Sequence, residues 1–509
     1  MNFKPSPQLT EQQVNMGLKQ VIKDGLSSEA MVCLTGGTFL MSMALLMKAS
    51  NFQIGLLTSL PIFTNIFQLL SIWLVQRYNN RRAIMVICSF IARIPLFAIG
   101  VLPFLFSGGT SMTVLLFMLS FHYLFGSIAG ASWSSWMKDL VPAERMGTYF
   151  GHRRRMMLIL STVLSVALAL GLDYIKLHYQ QYELTAYGVM FVVGGICGML
   201  GVWALARTPE PQSYLPKENL LKLFSKPLRN TNFRKLLVFQ SAWVFACSMS
   251  TPFFSVFMMK TVGLSLSYII GLSLISQVST IFSIKMWGKY ADRFSNKTIL
   301  SIAAPLFICC ILGYLFVAQA SSQSMAIVML VVIHVLGGFS LAGVTLALDN
   351  FGMKLAPNDE AIVYISTRNI VVALMGAFAP MLGGLLADVL ATQSVLLSLP
   401  IAGKVIPILH LQGWSILFLG GGLLAIASLR LLYRVAEEGE TERSIAVGHM
   451  RVAFKSSLQD KWNREALLNL IYYPVALPVM LGKKVQRRLV RRMAIIRRYS
   501  TGTELRRSA

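Results

Sequence analysis

Twelve long apolar runs, separated by short polar or basic connections, dominate the pattern of hydrophobic and polar positions along the chain. They lie near residues 30–48, 52–76, 83–106, 112–137, 156–176, 186–206, 236–259, 268–287, 298–320, 325–349, 362–388 and 413–433. An α-helix needs roughly 20 apolar residues to cross the hydrocarbon core of a membrane. The pattern therefore predicts an all-α membrane protein with twelve transmembrane helices, which we number spans 1 to 12.

The chain also repeats itself. Residues that stand 215 positions apart match in several separated segments. The matched pairs are Leu140 and Leu355, Pro142 and Pro357, Tyr149 and Tyr364, Arg153 and Arg368, Arg82 and Lys297, and Asp173 and Asp388. One constant offset predicts a duplicated unit. We expect two pseudo-symmetric six-helix bundles, 30–206 and 236–433, with an N-terminal segment 1–29, a linker 207–235 and a tail 434–509.

Composition and charge agree with a membrane protein and orient it. Hydrophobic residues make up 55% of the chain, charged residues only 13%, and mean hydropathy is +0.62. The connections after even-numbered spans carry 19 Lys or Arg, and those after odd-numbered spans carry four. The excess of positive charge marks the cytoplasmic side, so both termini are predicted to be cytoplasmic.

The tail segment Lys483–Arg498 contains basic doublets at 483/484, 487/488 and 491/492, which recur every four residues with apolar residues between them. Such a helix has one cationic and one apolar face and suits the surface of an anionic leaflet. Nucleic-acid binding is the alternative for a basic run, but tethering to a bilayer favours anionic lipid, and we expect no nucleic acid.

The connection after span 8 reads GKYADRFSNK, residues 288–297. Its Gly288, Asp292, Arg293 and Lys297 resemble the cytoplasmic signature of the major facilitator superfamily, although Ser295 and Asn296 depart from that pattern. WSSWMKDLVPAERMGTYFGHRRR, residues 133–155, resembles little-characterised bacterial members of the same superfamily. The resemblance implies a monomeric transporter in a bacterial inner membrane, with alternating access between the two halves.

Gating residues follow from the resemblance and the repeat. Asp292 is expected to approach the start of span 5, near Gly147 to Arg153, and to join the halves when the cytoplasmic side is closed, because a helix N-terminus stabilises a carboxylate. Arg368, the repeat partner of Arg153, and Asp139, at the inner end of span 4, complete the set. Arg77 replaces the signature acid in the first half and is expected to pair with Asp359 or Glu360.

Polar residues inside spans are candidates for the substrate site, since they are costly there. His122 in span 4 and His334 in span 10 suit substrate contact or a coupling proton; the alternative is satisfaction by a neighbouring helix. Gln240 and Trp243 in span 7, and Thr38 in span 1, lie on faces that suit a cavity wall or close helix packing. Arg93, in mid-span 3, attracts an anionic substrate or is held within the first half.

No motif indicates an enzyme, a metal site or a cofactor. The chain is therefore predicted to be a secondary transporter of a small solute, an organic anion or a drug-like compound. The alternative is a non-transporting receptor or scaffold on the same fold that acts through its basic tail. No Asp or Glu appears at mid-depth, so a coupling proton would fall to a histidine or to an acid at a helix end.

Overall fold

The computed structural model describes residues 5–105, 109–142, 146–212, 226–357, 361–391, 393–401 and 404–437. In this part of the chain, twelve helices are long and apolar enough to cross a membrane, as predicted. The tail segment Lys483–Arg498, the linker piece 218–224 and the expected partners of Arg77, Asp359 and Glu360, lie outside the described residues.

The bounds of the helices follow the predicted order of spans. They are Glu11–Thr35 and Gly37–Leu46 in span 1, Asn51–Phe63 and Gln68–Tyr78 in span 2, Arg81–Leu105 in span 3, Gly109–Leu140 in span 4, Met146–His178 in span 5, Glu183–Ala206 in span 6, Thr231–Ser248 and Phe254–Lys260 in span 7, Leu266–Phe294 in span 8, Asn296–Val317 in span 9, Gln323–Lys354 in span 10, Ala361–Leu390 in span 11 and Trp414–Leu432 in span 12.

The two halves pack alike. In the first, span 1 packs on spans 5 and 6, and span 3 packs on spans 4 and 6. In the second, span 7 packs on spans 11 and 12, and span 9 packs on spans 10 and 12. The halves meet where span 2 contacts span 11 and where span 5 contacts span 8. We call the side that carries the basic connections the basic face, and the other side the opposite face.

Span 1 begins at Glu11, well before the predicted start near residue 30. Thr10 and Gln13 form a capping box, in which each side chain accepts a hydrogen bond from the other residue's backbone N–H. Such a box satisfies amides that a helix start leaves unpaired. Residues 11–29 are polar but helical, and Val21, Asp24 and Gly25 are buried at helical spacing. The expected separate segment 1–29 is therefore mostly the start of span 1.

Spans 1 and 7 are both discontinuous, and their breaks are equivalent in the repeat. Span 1 is interrupted between Thr35 and Gly37, where Gly37 has a φ of +57°. Span 7 is interrupted by a 3₁₀ turn, Thr251–Phe253, which contains Pro252. Gly37 and Pro252 stand 215 positions apart. The two equivalent breaks thus have different causes. Glycine permits the positive φ that interrupts span 1, and proline lacks the amide hydrogen that would continue the helix in span 7.

The connection after span 11 departs from the helical architecture. Ser394–Ile401 and Lys404–Gln412 form an antiparallel two-stranded hairpin, in which Ser394 pairs with Gln412 and Ile401 with Lys404. No strand was expected in this apolar stretch. A hairpin pairs backbone groups with one another, which suits an apolar connection at a membrane boundary.

Spans 2 and 11 approach each other with no room for a side chain. A Cβ atom on Gly55 would lie 2.1 Å from the carbonyl oxygen of Pro380, and one on Gly384 would lie 2.2 Å from that of Asn51. The repeat equivalents of Gly55 and Gly384 are Ile270 and Ala169. Glycine therefore permits the close approach of spans 2 and 11, whereas larger residues occupy the equivalent positions in the contact between spans 5 and 8.

Candidate functional site

Two carboxylates connect the halves at the opposite face. Asp173 of span 5 accepts hydrogen bonds from the backbone N–H groups of Leu266 and Ser267, at 3.1 and 2.9 Å. Both donors lie in the first turn of span 8. The amides there have no partner within their own helix, and the helix dipole favours a negative charge at that end. The first half therefore holds the second by the N-terminus of a helix.

The second carboxylate repeats this arrangement in the other direction. Asp388 of span 11 accepts hydrogen bonds from the N–H groups of Asn51 and Phe52 of span 2, at 3.0 and 2.9 Å. Each acid and each donor is displaced by 215 residues from its counterpart. We call these two contacts the Asp173 latch and the Asp388 latch. The repeat in the sequence pairs the two acids with each other, but the sequence does not indicate their hydrogen-bond donors.

At the basic face, carboxylates act within each half. Glu210 accepts hydrogen bonds from the N–H groups of Arg81 and Arg82, at 2.8 and 3.0 Å. Glu437 accepts them from Asn296 and Lys297, at 3.2 and 2.7 Å. The two acids follow spans 6 and 12, so each ties the end of its bundle to the start of span 3 or span 9. These contacts stiffen a half and do not join the two halves.

Side chains complete these basic-face clusters. The guanidinium of Arg81, which is 1% exposed, pairs with Glu210 at 3.1 Å and with Asp139. In the second half, Lys354 pairs with Glu437 at 3.2 Å. Asp139 and Lys354 are 215 positions apart, so an acid in one half is replaced by a base in the other. Of the predicted gating residues, Asp139 and Lys297 thus belong to contacts within their own halves.

The repeated arginines are also tied within their own halves. Arg153 lies 3.6 Å from a carboxylate oxygen of Asp24, and its Nε donates to the carbonyl of Val21 at 3.3 Å. Arg368 donates to Gln240 Oε1 at 2.7 Å and to Asp349 at 2.9 Å. These contacts anchor the basic ends of spans 5 and 11 to spans 1, 7 and 10.

Three signature residues of the resemblance lie near the basic end of span 8. Asp292 and Arg293 are exposed, and Gly288 is partly buried. Among the described residues, Asp292 has no hydrogen bond or ion pair, so its expected contact with the start of span 5 is not formed in this conformation. That contact remains a prediction for the state in which the basic face is closed.

A cavity of about 450 Å³ lies within the first half and is lined by residues of spans 1 to 5. We call it the N-half cavity. Its charged lining residues are Asp24, Arg93 and Arg153, and His122 and Tyr123 also line it. Arg93 is only 7% exposed. His122 shares a hydrogen bond of 2.6 Å between its Nδ1 and the carbonyl oxygen of Ala92, which fixes the imidazole beside Arg93.

Three buried polar atoms at this cavity have no hydrogen-bond partner among the described residues. They are Nε of Arg93, Oγ of Ser127 and the indole Nε1 of Trp133. Buried polar groups are almost always paired in folded proteins, so three unpaired ones at one cavity require an explanation. An indole or guanidinium N–H only donates, so the missing partner is an acceptor.

A second cavity of about 450 Å³ lies between the halves, among spans 2, 7 and 11. Its polar lining residues are Asn65, Gln68, Ser366, Arg368 and Asn369. Asn65 and Gln68 also line the N-half cavity. Both residues flank or belong to the 3₁₀ turn Thr64–Phe67 that interrupts span 2. The two cavities are therefore adjacent across this turn.

The remaining predicted site residues lie elsewhere. Gln240 is buried and hydrogen-bonded to Leu348 and Arg368, and Trp243 is 4% exposed and packs near Phe307. His334 shares a hydrogen bond of 2.8 Å with the carbonyl of Leu330 in its own helix. Neither these three residues nor Thr38 lines either of the two cavities.

The 215-residue register does not make His334 the counterpart of His122. In that register the equivalent of His122 is Gly337. The similar strings HYLFG and HVLGG, which suggest two histidines facing each other, are therefore almost one helical turn out of step.

Asp24, Ser127 and Trp133 are the site residues that the sequence analysis does not single out. Asp24 falls in a stretch too polar to look membrane-embedded, yet the capping residues Thr10 and Gln13 indicate that the helix starts before it. Ser127 and Trp133 carry no charge, and nothing in their spacing distinguishes them from packing residues. Within the described residues, no group of three or more His, Cys, Asp or Glu is placed to hold a metal ion.

Comparison with known families decides the class of protein. The model of the Major Facilitator Superfamily matches residues 26–380. The chain belongs to this superfamily. Membership makes it a multi-pass membrane transporter of small molecules and not an enzyme. No curated protein sequence matches the chain.

Solved structures of this superfamily share the fold at low sequence identity. A bacterial homologue of the human lysosomal transporter Spinster, in an inward-facing and occupied conformation, is 15% identical with a TM-score of 0.58, covering 86% of this chain and 100% of that one. A D-xylose–proton symporter is 14% identical with a TM-score of 0.58, covering 84% and 99%. The nucleoside transporter NupG is 16% identical with a TM-score of 0.54, covering 83% and 98%.

Proposed function

We propose that this superfamily member is a secondary active transporter that moves a small solute by rocking its two halves about a central site. The observation that carries the proposal is the pair of latches. Asp173 and Asp388 join the halves at the opposite face by four hydrogen bonds. Asp292, which is expected to join them at the basic face, is exposed. This is the arrangement of a state closed at one face only.

We further propose that the basic face is cytoplasmic and that the membrane is a bacterial inner membrane. The distribution of Lys and Arg among the connections supports this orientation. In that orientation this conformation is closed to the outside of the cell. Both cavities then exchange solute with the cytoplasm. Because no inter-subunit contact is needed for the latches or the cavities, we propose a monomer.

The substrate proposed is a small organic solute, and an organic anion suits the cavities better than an uncharged drug-like compound. Arg93 and Arg153 line the N-half cavity, and Arg368 lines the adjacent one. We propose a proton as the coupling ion, because the titratable groups Asp24 and His122 both line the N-half cavity. Asp24 is not at mid-membrane, because it lies beside Arg153 near the basic end of span 5. The proton is therefore assigned to a histidine and to an acid towards the basic face.

The test follows both faces of the full chain in proteoliposomes. Spin labels are attached by Gly151→Cys and Lys289→Cys at the basic face, and by His178→Cys and Tyr268→Cys at the opposite face, all exposed positions on spans 5 and 8. We expect two populations of label-to-label distance at each face. The state with the longer distance at one face is expected to have the shorter distance at the other.

Uptake of radiolabelled benzoate driven by a proton gradient is measured on the same preparations. Fixed distances at both faces and no uptake would favour the receptor or scaffold alternative.

We also propose that the tail binds anionic lipid through Lys483–Arg498. Eight Arg or Lys in its four basic doublets, at about 1 kcal/mol each near an anionic surface, give ample affinity for a tethered segment. Deleting Lys483–Arg498 is expected to leave benzoate uptake unchanged and to increase protease cleavage of the tail in liposomes containing phosphatidylserine. Cleavage that is unchanged by the deletion, or equal in neutral liposomes, would contradict the proposal.

A further inference from the structure

The N-half cavity combines unpaired donors with a net positive charge. Arg93 and Arg153 contribute two positive charges and Asp24 one negative charge, which leaves a single positive charge when His122 is neutral. The unpaired Nε of Arg93 and indole N–H of Trp133 both require an acceptor. A ligand that satisfies charge and hydrogen bonds together is an anion with one negative charge.

The donors are spread along the cavity and not gathered at one point. His122, beside Arg93, and Trp133 are eleven residues apart on span 4, which corresponds to about 16 Å along a helix. Ser127 lies between them on the same helix. The volume of about 450 Å³ is within the range of cavities that hold small organic ligands. The cavity therefore suits an elongated molecule with an anionic group and further acceptors, and not an inorganic ion alone.

The second half has lost this chemistry although it keeps the scaffold. The repeat equivalents of Asp24, Arg93, Ser127 and Trp133 are Phe239, Ile308, Ala342 and Leu348. All four equivalents are apolar, whereas the repeat equivalent of Arg153 is also an arginine, Arg368. A purely structural need for these polar groups would apply to both bundles, because both pack alike. Arg93, Ser127 and Trp133, whose buried polar atoms have no partner among the described residues, are therefore related to a ligand, whereas Asp24 also pairs with Arg153.

We propose that the N-half cavity is the binding subsite for a small organic monoanion, with Arg93 and Trp133 as donors to the ligand and Asp24 as the group that sets the net charge. This inference rests on the proposed function and names its substrate class.

A cysteine at Gly130 tests the sign of the charge without a known substrate. Gly130 is exposed and lines the cavity, and a Cβ atom added there meets no atom within 4 Å. The equivalent position in the second half is Thr345, which is also exposed and gives a matched control. Both variants are made in the full chain with its six native cysteines replaced by alanine. Reaction rates are compared for two methanethiosulfonates, one with a sulfonate and one with a trimethylammonium group.

We expect the sulfonate reagent to be favoured at Gly130→Cys, relative to the rates with a free thiol, and not at Thr345→Cys. One charge at about 10 Å in a medium of effective dielectric constant about 20 changes a rate by roughly tenfold. Arg93→Gln is therefore expected to lower the preference about tenfold, and Asp24→Asn to raise it by a similar factor. A loss of structure would not move the two variants in opposite directions. No preference at Gly130→Cys, or equal preferences at both positions, would overturn the proposal.

Protection experiments then test binding itself. Benzoate is expected to slow modification of Gly130→Cys by a neutral methanethiosulfonate, and benzamide, which has the same shape without the charge, is not. Arg93→Lys is expected to weaken the protection by benzoate while leaving the variant reactive. Equal protection by benzamide, or no protection by benzoate, would reject the monoanion. Fixed distances between spin labels would instead reject rocking, so the two failures are distinguishable.

Discussion

Replacing Asp173 and Asp388 together by asparagine is expected to open the opposite face. Each substitution removes a charge that two first-turn amides bind at 2.9–3.1 Å. A hydrogen bond to a charged group contributes about 1.5–3 kcal/mol, and the dipole contributes up to about 1 kcal/mol more. If asparagine keeps half of the energy of each of the four hydrogen bonds, the two latches lose at least about 3 kcal/mol, which is at least about a hundredfold shift in the equilibrium between states.

The readout is the reaction of Thr38→Cys with a membrane-impermeant thiol reagent applied at the opposite face. Thr38 is partly buried just beyond the break in span 1, towards that face. Ser267→Pro supplies a matched variant, because proline is tolerated in the first turn of a helix and removes one donor without changing a charge. It is expected to give part of the effect of Asp173→Asn. Thr38→Cys reactivity that stays at its original rate in the double variant would show that the latches do not hold this face closed.

One methyl group at Gly55 is expected to have a comparable effect by steric means. In Gly55→Ala the Cβ atom would stand 2.1 Å from the carbonyl oxygen of Pro380, a backbone atom that cannot turn away. Overpacking a tight contact costs typically 1–3 kcal/mol, and here separation of spans 2 and 11 relieves it. The variant is therefore expected to favour the state open at the opposite face and to lose uptake of benzoate.

Gly171→Ala is the control for this substitution. Gly171 lies in span 5, two residues before Asp173, and an added Cβ there meets no atom within 4 Å. We expect its thermal stability, Thr38→Cys reactivity and uptake to match those of the parent chain. An equal loss of uptake in both variants would mean that glycine is needed for helix flexibility and not for the approach of the two spans. Gly384→Ala, which would meet Asn51 at 2.2 Å, is expected to behave like Gly55→Ala.

The spans and the duplication could be predicted because they depend on side-chain character repeated over many residues. The offset that relates Leu140 to Leu355 also relates both latches, both helix breaks and the amide donors of the two basic-face acid contacts, although the acids Glu210 and Glu437 themselves stand 227 positions apart. The sequence identifies Asp173 and Asp388 as equivalent acids. It does not identify their partners, since the donors are backbone amides, and Leu266 and Asn51 show no chemical likeness.

The candidate site was predicted less well for a related reason. Asp24 lies in a stretch whose average polarity hides that one face of the helix is buried, with Val21 and Gly25 beside it. Arg93 and His122 were recognised by their charge and depth. Their role depends on a cavity that is lined by residues of five different spans, and the sequence alone does not bring these residues together. The absence of a partner for Trp133 Nε1 can be seen only once the neighbours are in place.

The latches also bear on how fast the protein can cycle. An ion pair that opens inside a membrane leaves two charges to be hydrated, and breaking one partner of a buried pair is strongly unfavourable. When the carboxylate of Asp173 leaves span 8, it is only partly buried to begin with, and the amides it releases are neutral dipoles. Water can hydrate both the released carboxylate and the released amides, so opening leaves no buried charge without a partner. The opposite face is therefore held closed by contacts whose charged and polar groups water can hydrate as that face opens.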